Sequence, residues 1–176
     1  MSFRDKILAP DDLRAWREAL RVARKKVVVT NGCFDILHVG HVTYLEAARQ
    51  QGDALLVGLN SDASVRQIKG EGRPVNPESD RAAVLAALQA VDAVCSFDEM
   101  RASRFLARAQ PDIYVKGGDF TVDQLPREER DIVEKAGGKI VTLGLVPAKS
   151  TTALLAKIAR SCQVVRSTKL EISHPD

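Results

Sequence analysis

Two of the chain's three histidines, His38 and His41, stand three residues apart in the segment TNGCFDILHVGH, Thr30 to His41, directly after the apolar run KKVVV. Val27, Val28 and Val29 read as a buried strand that stops at the Asn31-Gly32 turn signal, and the spaced apolar residues Val42, Leu45 and Ala48 read as the helix it feeds. Both imidazoles then sit on the first turn of that helix and face one spot. The free N–H groups of the helix and the positive end of its dipole point to the same place, and Gly32 and Gly40 carry no Cβ to keep an anion from the backbone. Such a set suits the handling of a polyphosphate. Zinc is the competing use of paired histidines, but no Cys-x-x-Cys or His-Glu-x-x-His set accompanies them. The sequence also has no GxxxxGK[ST] and no GxGxxG, which counts against a P-loop kinase and a dinucleotide-dependent dehydrogenase.

Further along, Lys116 ends the apolar strand pattern DIYV and precedes Gly117-Gly118, a place where a cation has little structural purpose. The long irregular stretch Ser61 to Pro77 holds Gly70, Gly72, Pro74 and Pro77 around Lys69 and Arg73, and reads as a mobile lid over an anion. Arg73 would grip a phosphate bidentately and Lys69 would act as a point charge. Ser150, Thr151 and Thr152 follow Lys149 and open the last expected helix. Their hydroxyls suit both simple capping and a phosphate at a helix N-terminus. Asp35 either binds substrate or organises its own turn, and Asn60 and Asp62, after the second strand, are expected to line the pocket.

The elements that must position these residues alternate along the chain. Pro10, Asp11 and Asp12 start a helix with Leu13, Trp16 and Leu20 on one stripe, ending in Arg24-Lys25-Lys26. Strands are then expected near 26–30, 54–59, 92–96, 112–116 and 139–143, with helices near 40–51, 77–90, 98–109, 126–136 and 150–161. Five βα repeats predict an α/β fold, a Rossmann-like doubly wound parallel five-stranded sheet with helices on both faces. In such sheets ligands bind beyond the carboxyl ends of the strands, where the strand order reverses.

Composition bounds the rest. At 176 residues the chain makes one domain of ordinary size, and 28% charged residues with a high aliphatic content exclude a disordered chain. Aromatics at 5% leave few platforms for stacking single-stranded nucleic acid, and a net charge of +3 from 26 basic and 23 acidic residues describes a mixed surface, so no nucleic-acid partner is expected. Cys33, Cys95 and Cys162 are odd in number and lie in or beside apolar stretches, which suits reduced thiols. With no signal-peptide core and no run of membrane-spanning length, a cytoplasmic protein without a membrane partner is expected.

The segment GCFDILHVGH resembles the GxFDxxHxGH signature of the cytidylyltransferase-like nucleotidyltransferases, which join a nucleotide to a phosphorylated small molecule and release pyrophosphate. Three later segments, NSDASVRQIKGEGRPVNPESDR (60–81), VKGGDF (115–120) and KSTTALL (149–155), make the series similar to the adenylyltransferases of the branch that acts on D-glycero-β-D-manno-heptose 1-phosphate. That resemblance covers roughly residues 26–160. It implies transfer of AMP from ATP to the heptose 1-phosphate, with Mg²⁺ accompanying the triphosphate, and a product feeding lipopolysaccharide core assembly. In this branch the module often follows a sugar kinase domain, for which 176 residues leave no room, so a stand-alone form is expected.

The roles it implies are as follows. His38, His41 and Lys116 act on the phosphates; Gly32, Cys33, Phe34, Gly40, Ser150, Thr151 and Thr152 bind the nucleotide; Asp35, Asn60, Lys69, Arg73, Gly118 and Asp119 bind the sugar phosphate. No metal cage is implied, and a homo-oligomer is. Residues 26–162 would be the transferase domain, 1–25 a helical extension packed on it, and 163–176 a tail that is frayed or an oligomer contact. Two alternatives stay open: a cytidylyltransferase acting on glycerol 3-phosphate or another alcohol phosphate, and a nucleotide-binding module without catalysis.

Overall fold

The computed structural model describes residues 2–118, 121–144 and 151–172, with side chains through Ser161. Its centre is a six-stranded sheet in the order β1-β4-β3-β2-β5-β6. The strands are β1 (Ile7–Leu8), β2 (Val27–Gly32), β3 (Ala54–Asn60), β4 (Ala93–Phe97), β5 (Ile113–Gly117) and β6 (Lys139–Leu143). Every neighbouring pair is parallel. The helices are α1 (Leu13–Val22), α2 (Val39–Arg49), α3 (Asp62–Lys69), α4 (Glu78–Ala87), α5 (Ser103–Ala109), α6 (Arg127–Lys135) and α7 (Thr151–Ile172). From β2 the chain lays β3 and β4 on one side, then returns to place β5 on the other, so the order reverses between β2 and β5. The carboxyl ends of these two strands, Asn31-Gly32 and Lys116-Gly117, are therefore where the ligand crevice of such a sheet belongs.

Continuous apolar runs in the strands make sense because both faces are covered. On one face Val28, Leu55, Val57, Val94 and Val115 pack against Leu45 of α2 and Leu85 of α4. On the other, Val27, Val29, Leu56 and Tyr114 pack against Leu13 of α1, Phe105 and Leu106 of α5 and Val133 of α6. Each fully buried aliphatic side chain contributes about 1.5–3 kcal/mol, against about 0–1 kcal/mol for an exposed ion pair, so these two layers dominate stability. Gly58 is needed for the second layer, since a Cβ there would lie 2.4 Å from the Phe105 ring.

Three features depart from the expected pattern. The sheet has six strands where five are expected, because Ile7 and Leu8 pair with Val94 and Cys95 at the edge. Lys6 secures that edge by donating to the carbonyls of Val91 (2.8 Å) and Leu88 (3.3 Å). A two-residue strand is too short to show any period. Part of the expected irregular stretch 61–77 is the helix α3, capped by Ser61, whose Oγ accepts from the Ser64 N–H, and ended by Gly70 at φ 91°. Finally, α7 runs 22 residues to Ile172, well past the expected end near 161. Among the described residues no helix is long and apolar enough to cross a membrane.

Candidate active site

The chain leaves β2 at Gly32 and turns back over the sheet at Phe34, a bulky residue held at φ 43°. Left-handed backbone is costly for such a residue and persists only where packing imposes it. The packing is visible: the Phe34 ring is buried and meets His41 edge-on, with centroids 5.5 Å apart. A Cβ on Gly32 would lie 3.1 Å from that ring, so this glycine serves the aromatic as well as any approaching anion. His38 is the N-cap of α2, with extended backbone and no side-chain bond to the first-turn amides. Its ring stacks on that of His41 with centroids 3.9 Å apart. The Nδ1 atoms of both rings are buried and have no hydrogen-bond partner among the described residues. Burial, and secondarily the neighbouring His38, lowers the His41 pKa to about 4. At neutral pH His41 is thus an uncharged imidazole.

Asp35 organises the chain around it. Its carboxylate pairs with Arg73 and accepts from the Val75 N–H (2.7 Å) and the Asn76 N–H (3.1 Å), while its carbonyl accepts from the Asn76 amide (2.8 Å). Arg73 is therefore tethered to the first crossover, and the loop carrying it is anchored at 73–76 where a free lid is expected. Arg81, a residue the sequence reading did not single out, completes this anchor. Its buried guanidinium donates to the carbonyls of Cys33 (2.6 Å), Asn60 (2.9 Å) and Asn76 (3.0 Å) and pairs with Asp62 at 2.7 Å. The only signal in the sequence was its place at the end of the 60–81 motif. Asn60 is committed to the Ser64 hydroxyl (2.7 Å) and the Glu99 carbonyl (3.3 Å), which dock α3, so its side chain and that of Asp62 hold structure together.

Lys69 is exposed at the end of α3. The Cys33 thiol is pushed up mainly by burial and pulled back by the charges of Lys69, Arg81 and Arg73, which places these cations around the first crossover. A 350 Å³ cavity borders the same crossover, lined by Phe34, Asp35, Leu37, Asn76, Asp80, Arg81, Ala83 and Val84. Neither imidazole nor Lys116 lines it, and its Asp35 and Arg81 are already paired, so the chemistry is better sought at the strand ends.

Lys116 reaches those ends from the other layer of the sheet. Its Nζ donates to Asn31 Oδ1 at 3.0 Å, a bond that spans the switch between β2 and β5. The buried carboxylate of Glu129 on α6 lies 3.9 Å away. The Gly118 N–H is used by the Leu143 carbonyl at 3.0 Å. Thr151, the first residue of α7, donates from its hydroxyl to the Ile36 carbonyl at 3.3 Å, which seats the α7 N-terminus on the loop between β2 and α2; Thr152 is exposed. Gly40 is buried in the first turn of α2. Asp119 and Ser150, like Lys149, lie outside the described residues. Among the described residues no group of three or more His, Cys, Asp or Glu side chains could hold a metal ion.

Comparison with known proteins agrees with this architecture. The cytidylyltransferase-like family model matches residues 29–170. The bifunctional protein HldE of Pseudomonas fluorescens is 55% identical over 152 residues, covering 86% of this chain and 30% of the relative. That of Ectopseudomonas mendocina is 53% identical over 152 residues, covering 86% and 32%. The chain thus spans about a third of the length of these relatives. A lipopolysaccharide core biosynthesis protein from Thermoplasma volcanium superposes with a TM-score of 0.58 at 26% identity, covering 71% of this chain and 99% of that one. Pantoate-beta-alanine ligase from Francisella tularensis, solved with an ATP analogue and β-alanine, shares the fold at 13% identity with a TM-score of 0.54, covering 78% and 66%. With a paired-histidine crossover on a parallel sheet and a family match over most of its length, the chain is a nucleotidyltransferase of the cytidylyltransferase-like family.

Proposed function

We propose that this chain transfers AMP from ATP to D-glycero-β-D-manno-heptose 1-phosphate, giving ADP-heptose and pyrophosphate for lipopolysaccharide core assembly. The observation that carries the reading is the stacked His38–His41 pair at the uncapped start of α2, with the start of α7 docked beside it through Thr151. Two helix N-termini and two imidazoles make a donor-rich edge suited to a triphosphate. The four ordered motifs, which resemble those of the heptose branch, support heptose 1-phosphate as acceptor, beside the 55% identity to HldE.

In the reaction an oxygen of the sugar phosphate forms a bond to the α-phosphorus of ATP while the bond from that phosphorus to the bridging oxygen of the β-phosphate breaks. Pyrophosphate leaves in line. The nucleophile is already ionised, so no side chain need remove a proton from it; the protein aligns two anions and stabilises the extra charge at the α-phosphate. His41, uncharged, donates an N–H bond to the α-phosphate, and His38 helps to hold the β-phosphate. Lys116 contributes positive charge from the other side of the switch. Lys69 and Arg73 contribute theirs from beside the first crossover, Arg73 through its remaining guanidinium donors.

The test is incubation of the purified protein with Mg²⁺ and either ATP or CTP against a panel of sugar and alcohol phosphates, following pyrophosphate. Release with ATP and heptose 1-phosphate alone is expected. Release with CTP and glycerol 3-phosphate would replace this reading, and binding without release for every acceptor would contradict it.

A further inference from the structure

Glu129 takes no part in the proposed transfer. It is 3% exposed, one carboxylate oxygen accepts from the Ala102 N–H at 3.1 Å, and the other accepts from the Tyr114 hydroxyl at 2.9 Å. Accepting from two donors on two separate oxygens suits a carboxylate, because an amide has a single acceptor oxygen; a buried carboxylate nevertheless costs several kcal/mol unless a charge compensates it. The compensating charge is Lys116. Its ammonium lies 3.9 Å from the same oxygen that Tyr114 binds, and 3.0 Å from Asn31 Oδ1, which Tyr114 also reaches, at 2.7 Å. The four side chains form a closed group joining β2, β5 and α6 at the strand-order switch.

We propose that Glu129 is the positioning residue for Lys116: Asn31 takes one of the three ammonium N–H bonds and Glu129 holds the ammonium by charge at 3.9 Å, so that it stays between β2 and β5 with N–H donors left for the ligand edge. The inference rests on the reading that Lys116 meets a phosphate. Burial lowers the Lys116 pKa and the Glu129 charge opposes that fall. Without the carboxylate, the lysine would lose both its place and its proton at a lower pH. The other groups facing Lys116 are the Tyr114 phenol on its own strand, neutral Asn31 on β2, and Thr142 at the neighbouring register position on β6.

The test uses the full chain labelled with ¹³C-lysine, with the Lys116 Cε signal assigned through Lys116→Arg. Two readouts are taken across pH, the Lys116 titration and the rate of pyrophosphate release. In Glu129→Gln the titration is expected to move to lower pH and kcat to fall by up to about 10²-fold, the size of a small misplacement. The alkaline limb of the rate should move down in step. Moving the carboxylate across the ammonium, in Glu129→Gln/Asn31→Asp, should bring both partly back, which a merely structural Glu129 does not predict. Asn31→Asp alone should shift the titration upward, and it keeps the test open if Glu129→Gln does not fold. An unmoved Lys116 titration in Glu129→Gln overturns the proposal, as does an unchanged rate profile in an otherwise active enzyme. If the unaltered protein releases no pyrophosphate with any acceptor, the functional reading fails, and the titration still decides whether Glu129 sets Lys116.

Discussion

The imidazoles of His38 and His41 stack at 3.9 Å with planes 27° apart, and burial with this proximity keeps His41 uncharged down to a pKa of about 4. In the proposed reaction the uncharged His41 offers a hydrogen bond to the polyanion, and lysines and arginines supply the positive charge. Replacing His41 by alanine should lower kcat by about 10²–10³-fold, the usual loss for one donor to a developing oxyanion, with the fold retained. Steady-state kinetics beside a circular dichroism melt would check it; near-normal turnover would remove His41 from the chemistry.

The same depression has a consequence for stability. His41 is protonated in the unfolded chain below its ordinary value of 6.5 but in the folded chain only below about 4. The unfolded state therefore binds more protons between these values, so stability falls as pH drops from 6.5 towards 4 and is unaffected by this group above 6.5. Allowing for partial exposure, the loss is about 1–2 kcal/mol. Urea unfolding at pH 7.5, 5.5 and 4.5 should show it, and His41→Ala should flatten the trend.

Arg81 ties the first crossover, β3, the 73–76 loop and α3 to one guanidinium. Arg81→Met should destabilise the fold by about 3–5 kcal/mol, because it leaves Asp62 and three carbonyls without their partner. Denaturant titration measures this. A loss below about 1 kcal/mol would mean that the network is redundant.

Asp35 holds the Arg73 loop through its carboxylate and carbonyl. Asp35→Ala should therefore speed amide exchange at Val75 and Asn76 and cost about 1–3 kcal/mol. A residue that only touched substrate would leave those amides unchanged in the free protein.

Much of this was legible because it follows simple periods. The apolar runs Val27–Val29 and Ala54–Leu59, with the stripe on α2, carry the alternation of strand and helix, and the four motifs carry the family. What was illegible depended on partners distant in sequence. Nothing local says that Ile7 and Leu8 find an edge beside Val94 and Cys95, or that Asp35 spends its oxygens on residues 73–76. Glycines and prolines at 70–77 hide the short helix before them, whose apolar stripe is only Val65 and Ile68. Glu129 reads as one charge among many on α6, and its contacts with Tyr114 and Lys116 emerge only where three elements meet.

Where the triphosphate lies is decisive for the proposed transfer, and a crystal structure with a non-hydrolysable ATP analogue and Mg²⁺ measures it directly. The predicted result is an α-phosphate within hydrogen-bond reach of His41, between the starts of α2 and α7, with Lys116 facing it from the end of β5. A triphosphate seated among Leu37, Asp80 and Val84, away from both imidazoles, would contradict it.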